Sequence, residues 1–439
     1  MVRHLIIAAH DGVLTRYTGV GTIVQNAIRC LNAMHNELPG GTRVHLACPQ
    51  LEGGHSLEDE ECLQRSLELV SKTGGELIEI DNGTSRASKT ALWGYGQTQF
   101  WKAMSRSLAE RLANLTASEP GPTVVMAHDT PFLHLQLEPW SGLCGNRTFF
   151  YLPHSTGANH GQFAADGPDA ERLAFEHECL TAIDRDPHSF LCATGQWIGE
   201  HLEEVYGVRP DASAYLPNGL HFPSYQAALS RRVTIADIRK FVPTLTDDTR
   251  IIFAWGRASR VKGFVPLIEG WSKIASQHPN HILVLQAPDE SGEPEYAAEI
   301  AERARFSDRC LILDDFDPSI WQTFLQSPLT DVVAIPSLAD PNPHTPLEAR
   351  LFSSGSYAIV GSRIDGIVES LSDRISIVVD DPASSARWAG GLGQAIATSP
   401  EWRSLASRES AETMKRYDYS ATLRQFLDGH IVPALADDT

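Results

Sequence analysis

At 439 residues the chain is longer than one core usually organises, since domains run to roughly 100–200 residues, and two domains is the simplest division. Its 42% hydrophobic and 21% charged residues are those of a globular protein and exclude a disordered or fibrous one. A formal net charge of −19 sets up a field that repels nucleic-acid phosphates and anionic lipid, so neither is an expected partner.

The first predicted element is a strand at residues 5–9, a short apolar run ending in polar residues, as buried parallel strands do. The run is too brief for a signal peptide or a membrane span, and a cytoplasmic protein is expected. The glycine turn Thr18-Gly19-Val20-Gly21-Thr22 leads into a predicted helix over 21–34, where Ile23, Ala27, Leu31 and Met34 share a face. Residues 51–83 are acidic: Glu52, Glu58, Asp59, Glu60, Glu61, Glu68, Glu76, Glu79 and Asp81 stand against only Arg65 and Lys72. Such a stretch either keeps a surface soluble, the more ordinary role, or attracts a cationic small molecule.

Further strands are predicted at 123–127, followed by His128 and Asp129, and at 149–152, followed by His154. A lone histidine at a strand end is usually structural, yet the carboxyl ends of parallel strands are also where α/β proteins bind ligands. Asp129 reads either as the cap of a helix beginning near Pro131 or as a group that orients an amine or acts as a base. The cysteines Cys30, Cys48, Cys62, Cys144, Cys179, Cys192 and Cys310 are odd in number and form no Cys-x-x-Cys pair, so reduced thiols are expected and no zinc site.

Pro217-Asn218-Gly219 is a turn signal, and the pattern restarts after a polar stretch reaching Asp248. Strands at 251–255, 282–285, 310–313, 331–335 and 357–360 alternate with helix-length segments. The expected architecture is therefore α/β, with two Rossmann-like doubly wound domains at 1–219 and 220–410 and a helical segment, 411–439, packing back on the first. Two such domains facing across a cleft would place ligands at the carboxyl ends of the strands.

The strand at 251–255 runs into Gly256-Arg257-Ala258-Ser259-Arg260-Val261-Lys262-Gly263, ahead of an apolar helix over 264–274. Two cations beside a helix N-terminus suit a diphosphate, and lysine is scarce here, seven against 29 arginines. Taken alone, the segment would equally serve as a solvated loop. The strand at 331–335 leads to Asp340, in a loop stiffened by Pro341, Pro343 and Pro346, and to Glu348 in the first turn of a helix. One carboxylate can accept both hydroxyls of a ribose and another can hold sugar hydroxyls, although a first-turn glutamate is by itself ordinary.

Together these segments resemble the retaining GT-B glycosyltransferases of family 4, over nearly the whole chain. The resemblance implies that Arg257 and Lys262 bind the donor diphosphate, Glu348 the ribose, and Asp340 the transferred sugar, with further donor contacts at Asn342, His344 and Thr345. It places a backbone amide near Gly19 and Gly21 against the phosphates, His154 near the reacting sugar, and His128 and Asp129 in the acceptor half. Arg257, Lys262, His154 and Asp340 would be the catalytic set. The chain departs from the family pattern with Asp340 in place of glutamate, His221 where an aspartate usually follows the Pro-Asn-Gly turn, and Gln286-Ala287-Pro288 in place of a glycine-rich turn.

The implied reaction is transfer of a hexose from a nucleotide sugar, a UDP-sugar first, to a small soluble acceptor, without cofactor or metal. The chain's acidity points to an aminocyclitol or another amino-bearing natural product as acceptor. The rival readings are an epimerase or phosphorylase of the same fold and a non-catalytic sugar-nucleotide binder. A dinucleotide oxidoreductase is disfavoured, because Val24 stands where Gly-x-Gly-x-x-Gly needs its third glycine.

Overall fold

Strand β1 (Arg3–Ala9) carries the apolar run Leu5 to Ala9, which is fully buried and so requires helices on both faces of its sheet. It belongs to a six-stranded parallel sheet with β2 (Thr42–Pro49), β3 (Leu77–Ile80), β4 (Thr123–His128), β5 (Arg147–Leu152) and β6 (Ser189–Leu191), in the order β3-β2-β1-β4-β5-β6. A second parallel sheet holds β7 (Arg250–Trp255), β8 (His281–Gln286), β9 (Cys310–Leu313), β10 (Thr330–Ile335), β11 (Ala358–Ser362) and β12 (Ile377–Val379), in the order β12-β11-β10-β7-β8-β9. Both are doubly wound, with the strand order reversing between β1 and β4 in one and between β7 and β10 in the other. The computed structural model describes residues 2–16, 18–51, 58–81, 97–142, 147–161, 169–211, 214–289, 293–307, 309–315, 317–371 and 374–436; Glu52 and Cys144 lie outside them.

The structure adds β2, β3, β6 and β12 to the predicted strands. β2 carries Arg43 and His45, which break the apolar pattern, yet His45 is buried and its ring meets that of His4 on β1 at 3.1 Å. β6 and β12 are three residues each, too short to show a period.

Much of the acidity at 51–83 is local helix chemistry. Asp59 caps the helix Glu60–Thr73 by accepting from the Cys62 amide, Glu60 and Glu61 occupy its first turn, and Glu61 and Glu68 pair with Arg65 and Lys72 one turn on. The described cysteines are free thiols, all buried except Cys310. Among the described residues no helix is long and apolar enough to cross a membrane.

Two compact units result. One comprises Met1–His221 with Asp418–Thr439, the other Phe222–Tyr417. The chain re-enters the first unit where the Tyr419 amide donates to the Leu220 carbonyl. From there Tyr419, Leu423, Phe426, Leu427, Ile431 and Leu435 join the buried core that contains Leu5, Ile7, Ile28 and Phe150. Phe426 meets Phe150 edge-on at 5.4 Å. Truncating Phe426 to alanine is expected to cost about 3–5 kcal/mol, as buried Phe→Ala changes do, read as a lowered urea midpoint for the first unit. A loss below about 1 kcal/mol would show that this segment does not support that core.

Candidate functional site

In the second unit, the loops after β7 and β10 leave the sheet on either side of the strand-order reversal, where doubly wound folds bind ligands. They are tied to each other through one carbonyl: Leu338 N–H and Ala339 N–H both donate to Val261 O, at 2.7 and 3.3 Å. Gly263 makes the approach feasible. Its φ is +64°, and a Cβ there would lie 2.0 Å from the Pro336 carbonyl oxygen.

This contact brings two of the predicted site residues together, because the Lys262 ammonium forms an ion pair with the Asp340 carboxylate. The proline loop is also clamped from its other side. Asp340 N–H donates to Asp365 Oδ2 at 3.0 Å, and a Cβ on Gly366 would fall 1.8 Å from the Pro341 carbonyl oxygen. Arg257, Asn342, His344 and Thr345 are partly exposed on these same loops.

Glu348 lies in the first turn of the helix Thr345–Leu351 and is 8% exposed. Its carboxyl accepts from the Tyr225 hydroxyl at 3.0 Å and from the Trp255 side chain. Tyr225 packs against Trp321 and Phe352, and Trp255 stacks on Trp321 at 5.8 Å. Burial pushes the Glu348 pKa up to about 7, against the pull of Tyr225, Trp255 and Lys262. Gln286, at the end of β8, donates to the carbonyls of Asp315 and Asp317 at 3.0 Å each and so fixes the loop after β9.

In the first unit the reversal lies between β1 and β4, and polar side chains again gather at the strand ends. Asp11 accepts from Gly12 N–H, Thr15 Oγ1, Thr18 N–H and Thr18 Oγ1 at 2.6–2.9 Å. A Cβ on Gly21 would fall 2.4 Å from its carboxylate. The helix Gly19–Met34 therefore starts two residues before the predicted 21, capped by Thr18, whose hydroxyl accepts from Gly21 N–H. The negative charge beside this helix end is the chain's own Asp11. Gly19 is exposed, with open space where a side chain would stand.

Asp129 does not cap the helical turn Thr130–Leu137. Held at φ +66°, it accepts instead from His154 N–H at 3.3 Å, Ser155 N–H at 3.2 Å and Ser155 Oγ at 3.4 Å. Burial raises its pKa, opposed chiefly by His10 and Arg172. His128 Nδ1 meets His154 Nε2 at 3.0 Å, with the ring planes within 7° of each other and the centroids 5.3 Å apart. His128 is fully buried, which lowers its pKa to about 3, helped by the nearby His10. Glu176 anchors the end of this loop by accepting from Gly157 N–H, Arg172 Nε and the Tyr206 hydroxyl.

Sequence reasoning did not single out His10, Asp11, Tyr225, Asp365 or Glu176. His10 and Asp11 follow the strand at 5–9 just as His128 follows 123–127, so position alone marks them; the others announce themselves only through distant partners. Among the described residues no three His, Cys, Asp or Glu side chains are grouped as metal ligands would be.

No family model matches the chain. The D-inositol 3-phosphate glycosyltransferase of Acidothermus cellulolyticus is 22% identical over 264 residues, which span 58% of this chain and 55% of that relative's length. Among solved structures, the sucrose-phosphate synthase of Thermosynechococcus elongatus superimposes over 98% of this chain and 100% of its own, with a TM-score of 0.71 and 15% identity. Anabaena HepE, in complex with UDP-glucose, covers 97% and 98% with a TM-score of 0.66 and 15% identity. The fold is GT-B. At these identities the likeness carries the architecture, and the GT-B assignment agrees with two parallel six-stranded sheets of the same strand order.

The elevated Glu348 pKa makes this GT-B site costly to the fold. A carboxyl whose pKa rises from 4.5 to about 7 on folding contributes stability that is fully present below pH 4.5 and is lost as pH rises through 7. The loss is about 3 kcal/mol. Glu348→Gln is expected to raise the thermal midpoint at pH 8 and leave it nearly unchanged at pH 5. Equal shifts at both pH values would contradict a neutral, buried carboxyl.

Proposed function

We propose that the chain is a glycosyltransferase that uses a nucleotide-sugar donor, a UDP-sugar first, and retains the anomeric configuration of the transferred hexose. The observation that carries this reading is the placement of Arg257, Lys262, Asp340 and Glu348 on the two loops that flank the strand reversal of the second sheet. The diphosphate takes Arg257 and Lys262, the ribose hydroxyls take Glu348, and the sugar takes Asp340 with Asn342, His344 and Thr345. The GT-B neighbours support the assignment, one of them being a complex with UDP-glucose.

The chemistry needs charge neutralisation more than it needs a nucleophile. As the bond from sugar C1 to the phosphate oxygen breaks, negative charge grows on the diphosphate, and Arg257 and Lys262 are fixed cations that stabilise it without a metal. The acceptor oxygen bonds to C1 on the same face, and its proton passes to the departing phosphate oxygen. No enzymic nucleophile is assigned. The resemblance further implies a place for His154 near the transferred sugar.

The acceptor is a small soluble polyol, with an amino-bearing cyclitol favoured by the net charge of −19. The name of the Acidothermus relative places a cyclitol phosphate in that role for that protein. Transfer assays with UDP-, GDP-, dTDP- and ADP-glucose against inositol phosphate, an aminocyclitol and a lipid acceptor distinguish these cases, and turnover on lipid alone would remove the soluble-acceptor reading. With the best pair, Arg257→Ala is expected to lower kcat by about 10²–10³-fold, as loss of one transition-state charge partner does. Near-normal turnover in Arg257→Ala and Lys262→Ala would overturn the assignment. Consumption of donor without any acceptor would instead favour an epimerase.

A further inference from the structure

We propose that His128 is a positioning residue that fixes the tautomer of His154, with the proton on Nδ1 and with Nε2 already accepting. What that tautomer does for transfer rests on the glycosyltransferase reading. The tautomer itself is a property of the first unit and can be read without any substrate.

The two rings stand on neighbouring strands. β4 ends at His128, which pairs in register with Leu152 on β5, and His154 follows two residues later. Asp129 grips the His154 and Ser155 amides, and Glu176 grips the Gly157 amide, so the loop carrying His154 is held at both ends. Between the rings, His128 Nδ1 and His154 Nε2 lie 3.0 Å apart. A bond of that length between two imidazole nitrogens holds one proton: two protons would collide, and two lone pairs would repel.

Only two neutral arrangements remain. If His154 Nε2 carried the proton, His128 would accept at Nδ1 and carry its own proton on Nε2. That nitrogen is buried and has no hydrogen-bond partner among the described residues, and a buried N–H without an acceptor is among the rarest features of folded proteins. In the other arrangement His128 Nδ1–H donates to His154 Nε2, and the partnerless atom is a lone pair, the less costly omission. His154 then carries its proton on Nδ1. A charged ring on His128 is disfavoured by its burial and by His10.

His128 is 0% exposed, so its effect on a ligand must pass through His154. With Nε2 of His154 already accepting, that atom cannot take the acceptor's proton, in keeping with its passage to the departing phosphate oxygen. His128 thereby supports His154 rather than touching the acceptor.

The test is long-range ¹H–¹⁵N NMR on the full chain with ¹⁵N-labelled histidine at pH 7. In the wild type His154 is expected to show a pyridine-like Nε2 and a pyrrole-like Nδ1; a pyrrole-like Nε2 on His154 overturns the proposal. His128→Asn keeps an N–H at the position of Nδ1 and is expected to preserve both the tautomer and turnover. His128→Leu removes the donor, should shift His154 toward the Nε2–H form, and should lower kcat by about 10–100-fold with donor KM little changed. Equal loss of kcat in both variants, or loss in His128→Asn with the tautomer intact, overturns the positioning role. If His128→Leu does not fold, the wild-type spectrum and His128→Asn decide by themselves. A wild type that transfers no sugar counts against the glycosyltransferase reading and leaves the spectral result standing.

Discussion

The carbonyl of Val261 is the point on which the second unit's site depends. By accepting from both Leu338 and Ala339 it holds the loops after β7 and β10 at a separation that only a glycine at 263 permits. Arg257 and Lys262 come from one loop, Asp340 and Glu348 from the other and its helix, so without this tie the four groups would not share a site. The tie also determines the resting electrostatics. Lys262 is already neutralised by Asp340, and a diphosphate would exchange one anionic partner for another at a preorganised ammonium.

The acidic side chains at the strand ends play two kinds of role. Asp11, Asp129 and Asp365 spend their oxygens on backbone amides and shape the loops at the strand ends. Asp59 caps a helix. Asp340 faces a cation, and Glu348 sits buried beside Tyr225 and Trp255, which leaves its pKa raised to about 7. Some of the chain's acidity is therefore architectural, whereas Asp340 and Glu348 are the carboxylates that carry the proposed donor chemistry.

What could be read from the sequence follows from how local each signal is. The central strands at 5–9, 123–127, 251–255 and 331–335 are apolar runs with polar ends and are found where their residues alone place them. β2 escaped because His45 is buried against His4, a partner 41 residues away, so a largely buried strand looks half polar. The Arg257–Lys262 turn and the Asp340–Glu348 loop are each contiguous and could be recognised. Tyr225 could not, since its claim to the site is a hydrogen bond to Glu348 across 123 residues. Asp129 was visible by position but not by role: its positive φ turns the carboxylate away from the following helix and toward the loop after β5.

The most direct test of the central claim is a crystal structure of the chain soaked with UDP. The account expects the diphosphate against Arg257 and Lys262, the ribose hydroxyls on Glu348, and the Lys262–Asp340 pair opened or shared with phosphate oxygen. A diphosphate bound elsewhere, with Lys262 and Asp340 still paired and Glu348 untouched, would contradict it.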